Sequence, residues 1–127
     1  MILVDTSVWV DFFRASDSIM TVLKVEMRNQ KIVTVECVFG ELLQGAKNSR
    51  EREIISAYWQ NLPKRDESGL WIEAGSISSE NKYFTKGIGL IDAFLIAFAK
   101  RYQSQIWSFD KKLLSVLTPK EKYSQPV

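Results

Sequence analysis

The sequence contains no histidine, a single cysteine and no long apolar run, and each of these absences excludes a class of chemistry. Without histidine there is no imidazole general base, no Ser–His or Cys–His nucleophile pair and no histidine-ligated metal site. The single cysteine, Cys37, excludes an intrachain disulfide and a structural zinc site, and it favours a reducing, cytoplasmic setting. Any catalysis must therefore use carboxylates, hydroxyls, lysines, arginines or a hard cation.

No membrane or targeting segment is expected. The N-terminal apolar residues have no basic region before them, and Asp5 and Asp11 interrupt them. The longest apolar stretch, Leu90–Ala99, is much shorter than the roughly 18 residues of a membrane helix.

The 127 residues, with 46% apolar and 25% charged side chains, predict one globular domain over 1–127. The net charge of +2 permits an anionic partner without requiring one.

Short apolar runs alternate with helical patterns along the chain, which predicts an α/β fold. The predicted strands are Ile2–Val4, Ile32–Val35 and Gln105–Ser108. Helices are predicted over 6–13, 17–28, 35–46, 50–62, 70–84, 90–102 and 111–117. Strands that alternate with helices imply right-handed crossovers and a mostly parallel sheet. Such a sheet places its functional site at the carboxyl ends of its strands.

Three aspartates are candidates for that edge of the sheet. Asp5 directly follows the first predicted strand, and Asp110 lies two residues beyond the last one. Either could instead be a helix cap or a turn residue. Asp92 is the one charged residue of Leu90–Ala99, where nine of ten residues are apolar. An ionised carboxylate there is costly unless it is paired or binds a metal, although the helix dipole also favours an aspartate in a first turn.

Glu41 is not selected by this reasoning. On a helical wheel it lies well away from the apolar face, which indicates a solvated side chain, and Glu36 is an equal candidate.

Carboxylates that gather at one edge of the sheet repel each other, and a divalent cation relieves this repulsion. All-oxygen ligands favour Mg²⁺ or Mn²⁺. Such a site can hydrolyse phosphodiesters without any histidine.

Four segments together resemble a PIN domain: Met1–Trp9, Glu41–Gly45, Gly89–Ala97 and Ser108–Asp110. Within that superfamily the chain is most similar to the VapC toxins of bacterial and archaeal toxin–antitoxin pairs, from residue 1 to about 115. The resemblance implies a three-layer α/β/α fold with a short, mostly parallel sheet flanked by helices. It also implies a Mg²⁺- or Mn²⁺-dependent endoribonuclease that leaves a 5′-phosphate and a 3′-hydroxyl, acting as the toxin of a type II pair.

The resemblance also assigns roles to residues. Asp5, Glu41, Asp92 and Asp110 match the acidic cluster of the family. Asp5, Asp92 and Asp110 are expected to bind the cation, and Glu41 to orient a water or a ligand. The resemblance thereby makes a site residue of Glu41, which the helical wheel placed on the surface.

Three further positions matter in this comparison. Ser7 matches a hydroxyl that often supports the first aspartate, and Ser108 matches the Ser or Thr commonly found two residues before the last one. Many relatives carry another acid two residues after that last aspartate, whereas this chain has Lys112. Both a phosphate contact and a merely solvated lysine remain open for Lys112.

The expected partners follow from the same resemblance. They are an RNA substrate, a cognate antitoxin whose tail covers the acidic groove with an Arg or Lys, and a second copy of the chain. The predicted homodimer surface comprises residues of the first two helices: Trp9, Phe12, Phe13, Ile19 and Leu23.

Three other functions are weighed against the toxin. One is a PIN-type RNA-processing nuclease outside a toxin–antitoxin pair. Another is a PIN-like module that binds its partner without cutting, against which the four acids argue. A receiver-like signalling domain also gathers acids at a sheet edge, but the order of its motifs fits this chain poorly.

Overall fold

The computed structural model describes residues 1–126, in which three short strands are enclosed by seven α-helices and two 3₁₀ turns. In chain order the elements are β1 (Ile2–Val4), α1 (Thr6–Phe13), α2 (Asp17–Arg28), β2 (Ile32–Val33), α3 (Glu36–Gln44), α4 (Ser49–Asn61), α5 (Leu70–Asn81), α6 (Leu90–Tyr102), β3 (Gln105–Trp107) and α7 (Lys111–Ser115). The 3₁₀ turns are Tyr83–Lys86 and Pro119–Glu121.

The sheet is parallel throughout, with strand order β2-β1-β3. Its apolar residues are covered on both faces, which is why the strands are unbroken apolar runs rather than alternating ones. The backbone N–H of Asp5 donates to the carbonyl of Trp107 at 2.9 Å, so the pairing of β1 with β3 continues to the point where both strands end. This arrangement confirms the predicted α/β/α architecture with its short parallel sheet.

Helix α6 is the most deeply buried helix, since every residue from Ala93 to Ala99 is buried. It packs along α5, where the ring centroid of Trp71 lies 4.4 Å from that of Phe94. At its C-terminal end, Arg101 donates to the carbonyl of Ser68 at 2.8 Å and pairs with Glu73. Over residues 1–126, neither this helix nor any other has the length and apolar character needed to span a membrane.

Several element boundaries differ from the sequence prediction by one to three residues, and two of the differences have a clear cause. The predicted strand Ile32–Val35 ends at Val33, because Thr34 turns to Pro63, whose carbonyl accepts its N–H at 3.1 Å. The predicted helix over 70–84 ends at Asn81, because Lys82 adopts the left-handed conformation with φ 55°. The chain then continues as a 3₁₀ turn.

The predicted homodimer surface is wrong for four of its five residues, and the fifth, Phe13, is partly buried. Trp9 and Leu23 are fully buried, and Phe12 and Ile19 are only 4% and 5% exposed in the single chain. Their burial arises because α1 and α2 pack against each other and α1 packs on α3. Trp9 contacts Phe39 with ring centroids 5.3 Å apart. These side chains form part of the core, so they cannot also form a contact with a second copy.

Two phenylalanines test the description of the core. Phe98→Ala removes a fully buried ring of α6 and should lower the free energy of unfolding by about 3–5 kcal/mol. Phe84→Ala removes a ring that is 88% exposed and should change the free energy of unfolding by no more than about 0.5 kcal/mol. Urea unfolding followed by circular dichroism measures both, and equal effects would contradict the burial described.

Candidate functional site

Four carboxylates line one open depression at the carboxyl ends of β1 and β3. The depression has a volume of about 470 Å³. The acidic residues in its wall are Asp5, Glu41, Asp92 and Asp110, and the others are Thr6, Ser7, Gly89, Leu90 and Ile91. The four acids named in the sequence analysis are thus brought together, whereas Glu36 is absent from the lining. We call this depression the acidic site.

Asp5 is the most buried of the four carboxylates, and two serine hydroxyls hold it in place. Ser108 donates to Asp5 Oδ2 at 2.5 Å, and Ser7 donates to the same oxygen at 3.1 Å. Each serine oxygen also accepts a backbone N–H, from Phe109 at 3.0 Å for Ser7 and from Asp110 at 2.9 Å for Ser108. The two serines therefore connect the end of β1 to the segment that carries Asp110.

Asp110 serves as the N-cap of α7. Its Oδ1 accepts the backbone N–H groups of Lys112 at 2.9 Å and Leu113 at 3.4 Å. The helix-cap interpretation of Asp110 is therefore confirmed, and the same side chain also lines the acidic site. A capping bond occupies only Oδ1, so the second carboxylate oxygen remains available to a ligand.

Glu41 is exposed, as the helical wheel predicted, and the surface it occupies is the wall of the acidic site. Its Oε1 accepts a hydrogen bond of 2.7 Å from the hydroxyl of Thr6, the residue that follows Asp5. Thr6 was missed by the sequence analysis, although its position beside Asp5 was a usable signal. This bond fixes α3 to the start of α1 at the acidic site.

The pKa of the Asp92 carboxyl is raised by its surroundings. Burial, and after it repulsion from Asp110, Asp5 and Glu41, together raise the pKa of its carboxyl to about 6. A hydrogen bond from the Gly89 backbone N–H opposes these effects only in part. All four carboxylates therefore interact within one electrostatic cluster.

No positive side chain compensates this cluster among the residues that the structure describes. The two ion pairs found there, Lys100–Glu121 and Arg101–Glu73, involve none of the four carboxylates. Four oxygen-donor acids without a counter-charge match the preference of a hard divalent cation. The donor chemistry of the acidic site thus fits Mg²⁺ or Mn²⁺.

The carboxylates are nevertheless not gathered into a ready-made metal centre. Over residues 1–126, no group of three acidic or other metal-ligating side chains stands close enough to hold an ion as it is. Asp5, Glu41 and Asp110 each engage one carboxylate oxygen in the hydrogen bonds described above. Their second oxygens are the available donors, and side-chain rotations would be needed to bring these oxygens together.

Cys37 is excluded as a nucleophile at this site. Burial of its thiol, followed by the nearby charges of Glu67 and Glu41, raises its pKa to about 12. A thiol with such a pKa stays protonated at neutral pH, and only the thiolate is reactive. The acidic site is therefore left with oxygen chemistry alone.

The stability of the metal-free protein tests the repulsion at Asp92. The folded-state pKa of about 6 lies above the ordinary value of 3.8, so the folded chain loses stability as pH rises from about 4 to 7. Asp92→Asn should remove this loss. In EDTA at pH 7.5 the free energy of unfolding should rise by about 1 kcal/mol, a value reduced for solvent screening. At pH 4.5 the gain should be much smaller.

Asp17→Asn is the matched control for this measurement. Asp17 is also in the first turn of a helix, α2, but it is exposed and remote from the acidic site. Its neutralisation removes a favourable charge from the helix N-terminus and should not stabilise the protein. Urea unfolding of the three proteins at both pH values gives the result, and a less stable Asp92→Asn at pH 7.5 would refute the repulsion.

Comparison with known proteins identifies the family and the fold. Residues 2–117 match the family model of the PIN domain. A similar fold occurs in a toxin–antitoxin complex from Klebsiella pneumoniae, with a TM-score of 0.76, 16% identity and 94% of each chain covered. It also occurs in VapBC2 from Rickettsia felis bound to a DNA fragment from their promoter, with a TM-score of 0.73, 20% identity and 96% of each chain covered.

A third similar structure is FitAcB from Neisseria gonorrhoeae, with a TM-score of 0.62, 15% identity and 91% of each chain covered. At these identities the likeness is one of fold. A search of curated proteins found no match. The family match spans nearly the whole sequence, and the chain therefore belongs to the PIN-domain family.

Proposed function

We propose that this protein is a Mg²⁺- or Mn²⁺-dependent endoribonuclease and the toxin of a toxin–antitoxin pair. The observation that carries the proposal is the acidic site itself, where four carboxylates line one depression without a positive side chain among the described residues to balance them. Membership of the PIN family supports nuclease activity, because PIN domains are generally nucleases. The absence of histidine excludes the common metal-independent alternatives that use imidazole.

In this proposal Asp5, Asp92 and Asp110 hold the cation, and Glu41 orients a water or a substrate group. The cation would supply charge neutralisation of a phosphate and a bound water of lowered pKa. Asp92 would be drawn into its ionised form by the positive charge. Thr6 would keep Glu41 in place through the hydrogen bond to its Oε1.

Ser7 and Ser108 act as positioning residues in this proposal. Both donate to Asp5 Oδ2, so the carboxylate is held by one oxygen while Oδ1 is left for a ligand. Ser108 also binds the N–H of Asp110, which keeps two of the proposed metal-binding residues at a fixed spacing. Groups that orient metal ligands in this way commonly affect metal affinity as strongly as a weak ligand does.

An antitoxin partner is proposed from the toxin–antitoxin complexes whose chains share this fold. The uncompensated acidic site would accept an Arg or Lys from such a partner through charge-assisted hydrogen bonds. A small antitoxin reading frame beside the gene would separate this proposal from an RNA-processing nuclease. Homodimer formation remains a prediction from the resemblance, and it would need a surface other than the buried one first expected.

Cleavage of a mixed pool of structured RNA tests the nuclease. The wild-type protein should cut only when Mg²⁺ or Mn²⁺ is present, and the products should carry 5′-phosphates. Asp92→Asn and Asp5→Asn should each lose more than about 100-fold in rate, because each removes a carboxylate proposed to hold the cation that neutralises the reacting phosphate. Gel analysis of end-labelled RNA measures the rates.

Asp17→Asn, purified in parallel, controls for contaminating nucleases and should cut at the wild-type rate. If all four proteins cut alike, the cleavage does not come from the acidic site and the nuclease proposal fails. If none of them cuts in either metal, the non-catalytic binding module becomes the better account of the chain.

The proposed role of Ser108 has its own test. Ser108→Ala removes the hydroxyl that joins Asp5 to the Asp110 backbone, and affinity for Mn²⁺ should fall by about tenfold. Ser104→Ala is the matched control, since Ser104 is equally buried but its hydroxyl makes no hydrogen bond in the described structure. The rise in melting temperature across a Mn²⁺ titration reports the affinity. Equal titrations for the two variants would exclude the positioning role.

A further inference from the structure

The side chain of Lys112 lies against the backbone of Gly87. A Cβ placed on Gly87 would be 3.1 Å from Lys112 Nζ and 3.3 Å from Cδ, closer than side chains normally approach. Gly87 also has φ 76°, in the region that favours glycine, and it ends the 3₁₀ turn Tyr83–Lys86. A side chain at position 87 would therefore be disfavoured by the backbone conformation and would displace the end of Lys112.

This contact places Lys112 between the two segments that carry Asp110 and Asp92. The backbone N–H of Lys112 donates to Asp110 Oδ1 at 2.9 Å, so the residue begins directly beside the acidic site. Its side chain then reaches Gly87, two residues before Gly89, which lines the same depression and precedes α6. The ammonium group consequently lies beside the loop that leads into the wall of the acidic site.

The ammonium group of Lys112 is exposed and not neutralised. Within residues 1–126 it forms no ion pair, whereas Lys100 and Arg101 each pair with a glutamate. Lys64 and Lys86 lie over the rings of Trp59 and Tyr83. The side chain of Lys112 is exposed, so its ammonium is accessible to a ligand beside the loop that precedes α6.

We infer that Lys112 binds an RNA phosphate next to the one that reaches the carboxylates. The inference rests on the proposed function, since it assigns a second contact to the same substrate. An RNA strand that enters a cluster of four acids is repelled unless positive charge meets its backbone. A lysine is a point charge suited to a phosphate oxygen and reads no base, so this contact strengthens binding without selecting a sequence.

Binding of a fluorescently labelled single-stranded RNA tests this inference independently of cleavage. All proteins carry Asp92→Asn, and anisotropy gives Kd in Mg²⁺ over a series of KCl concentrations. Lys112→Met should weaken binding by about three- to tenfold near 50 mM KCl and reduce the slope of log Kd against log salt by about 0.7, the value for one lost phosphate contact. Lys112→Arg keeps the charge and should retain most of the affinity.

Lys111→Met is the matched control, because Lys111 is an equally exposed neighbour for which no such glycine contact exists. It should leave the slope of log Kd against log salt unchanged.

A second pair of variants tests the contact with Gly87. Gly87→Ala should weaken RNA binding, and it should add little when Lys112→Met is already present. Gly69→Ala controls for backbone strain, since Gly69 has the same φ of 76° and lies far from Lys112.

The outcomes separate this inference from the proposed function. If Lys112→Met and Lys111→Met change the slope equally, or if no variant binds RNA, the role of Lys112 is overturned. If the slope changes as expected but the protein with Asp92 intact never cuts RNA, the nuclease proposal fails and the phosphate contact stands. A loss of stability in Lys112→Met, measured by urea unfolding, would instead assign the lysine a structural role.

Discussion

The parallel pairing of β1 with β3 is the constraint on which the site depends. It brings the ends of two strands together, and the bond from the Asp5 N–H to the Trp107 carbonyl fixes their register up to the last paired residue. Once that register is set, Ser108 meets Asp5 and Asp110 follows at a fixed spacing. A slip of one residue would turn the apolar side chains of β1 from one face of the sheet to the other. The packing of the core and the geometry of the carboxylates are therefore specified by the same hydrogen bonds.

Repulsion among the carboxylates of the acidic site reduces the stability of the fold. Three carboxylates act on a fourth, and that fourth begins the most buried helix in the molecule. Local hydrogen bonds to the carboxylate oxygens offset part of this repulsion. Two serines donate to Asp5, Thr6 donates to Glu41, and the backbone of the first turn of α7 donates to Asp110. These bonds also set the direction of each carboxylate before any ligand binds. The core, made of apolar residues from every layer, supplies the stability that such a concentration of charge reduces.

The parts of this structure that the sequence predicts are those that depend on local pattern. Unbroken apolar runs indicated the buried strands, and the position of Asp5 and Asp110 after two of them predicted a shared edge. Asp92 was conspicuous because an apolar helix does not carry a carboxylate without a reason. Glu41 needed the resemblance to a known family, because a helical wheel predicts exposure but not which surface the exposed residue faces. The dimer surface was predicted wrongly because an apolar helix face has the same pattern whether its own core or a second copy covers it. The contact of Lys112 with Gly87 depends on a loop conformation that no periodic pattern encodes.

The hydrogen bond between Ser108 and Asp5 joins residues 103 positions apart in the chain. The central strand β1 precedes β3, one of its two partners, by about 100 residues, and Asp110 follows β3, so both are translated long after β1. A chain that is still being translated therefore has neither the complete sheet nor the complete set of carboxylates. The acidic site is therefore complete only after residues 105–110 have folded against β1.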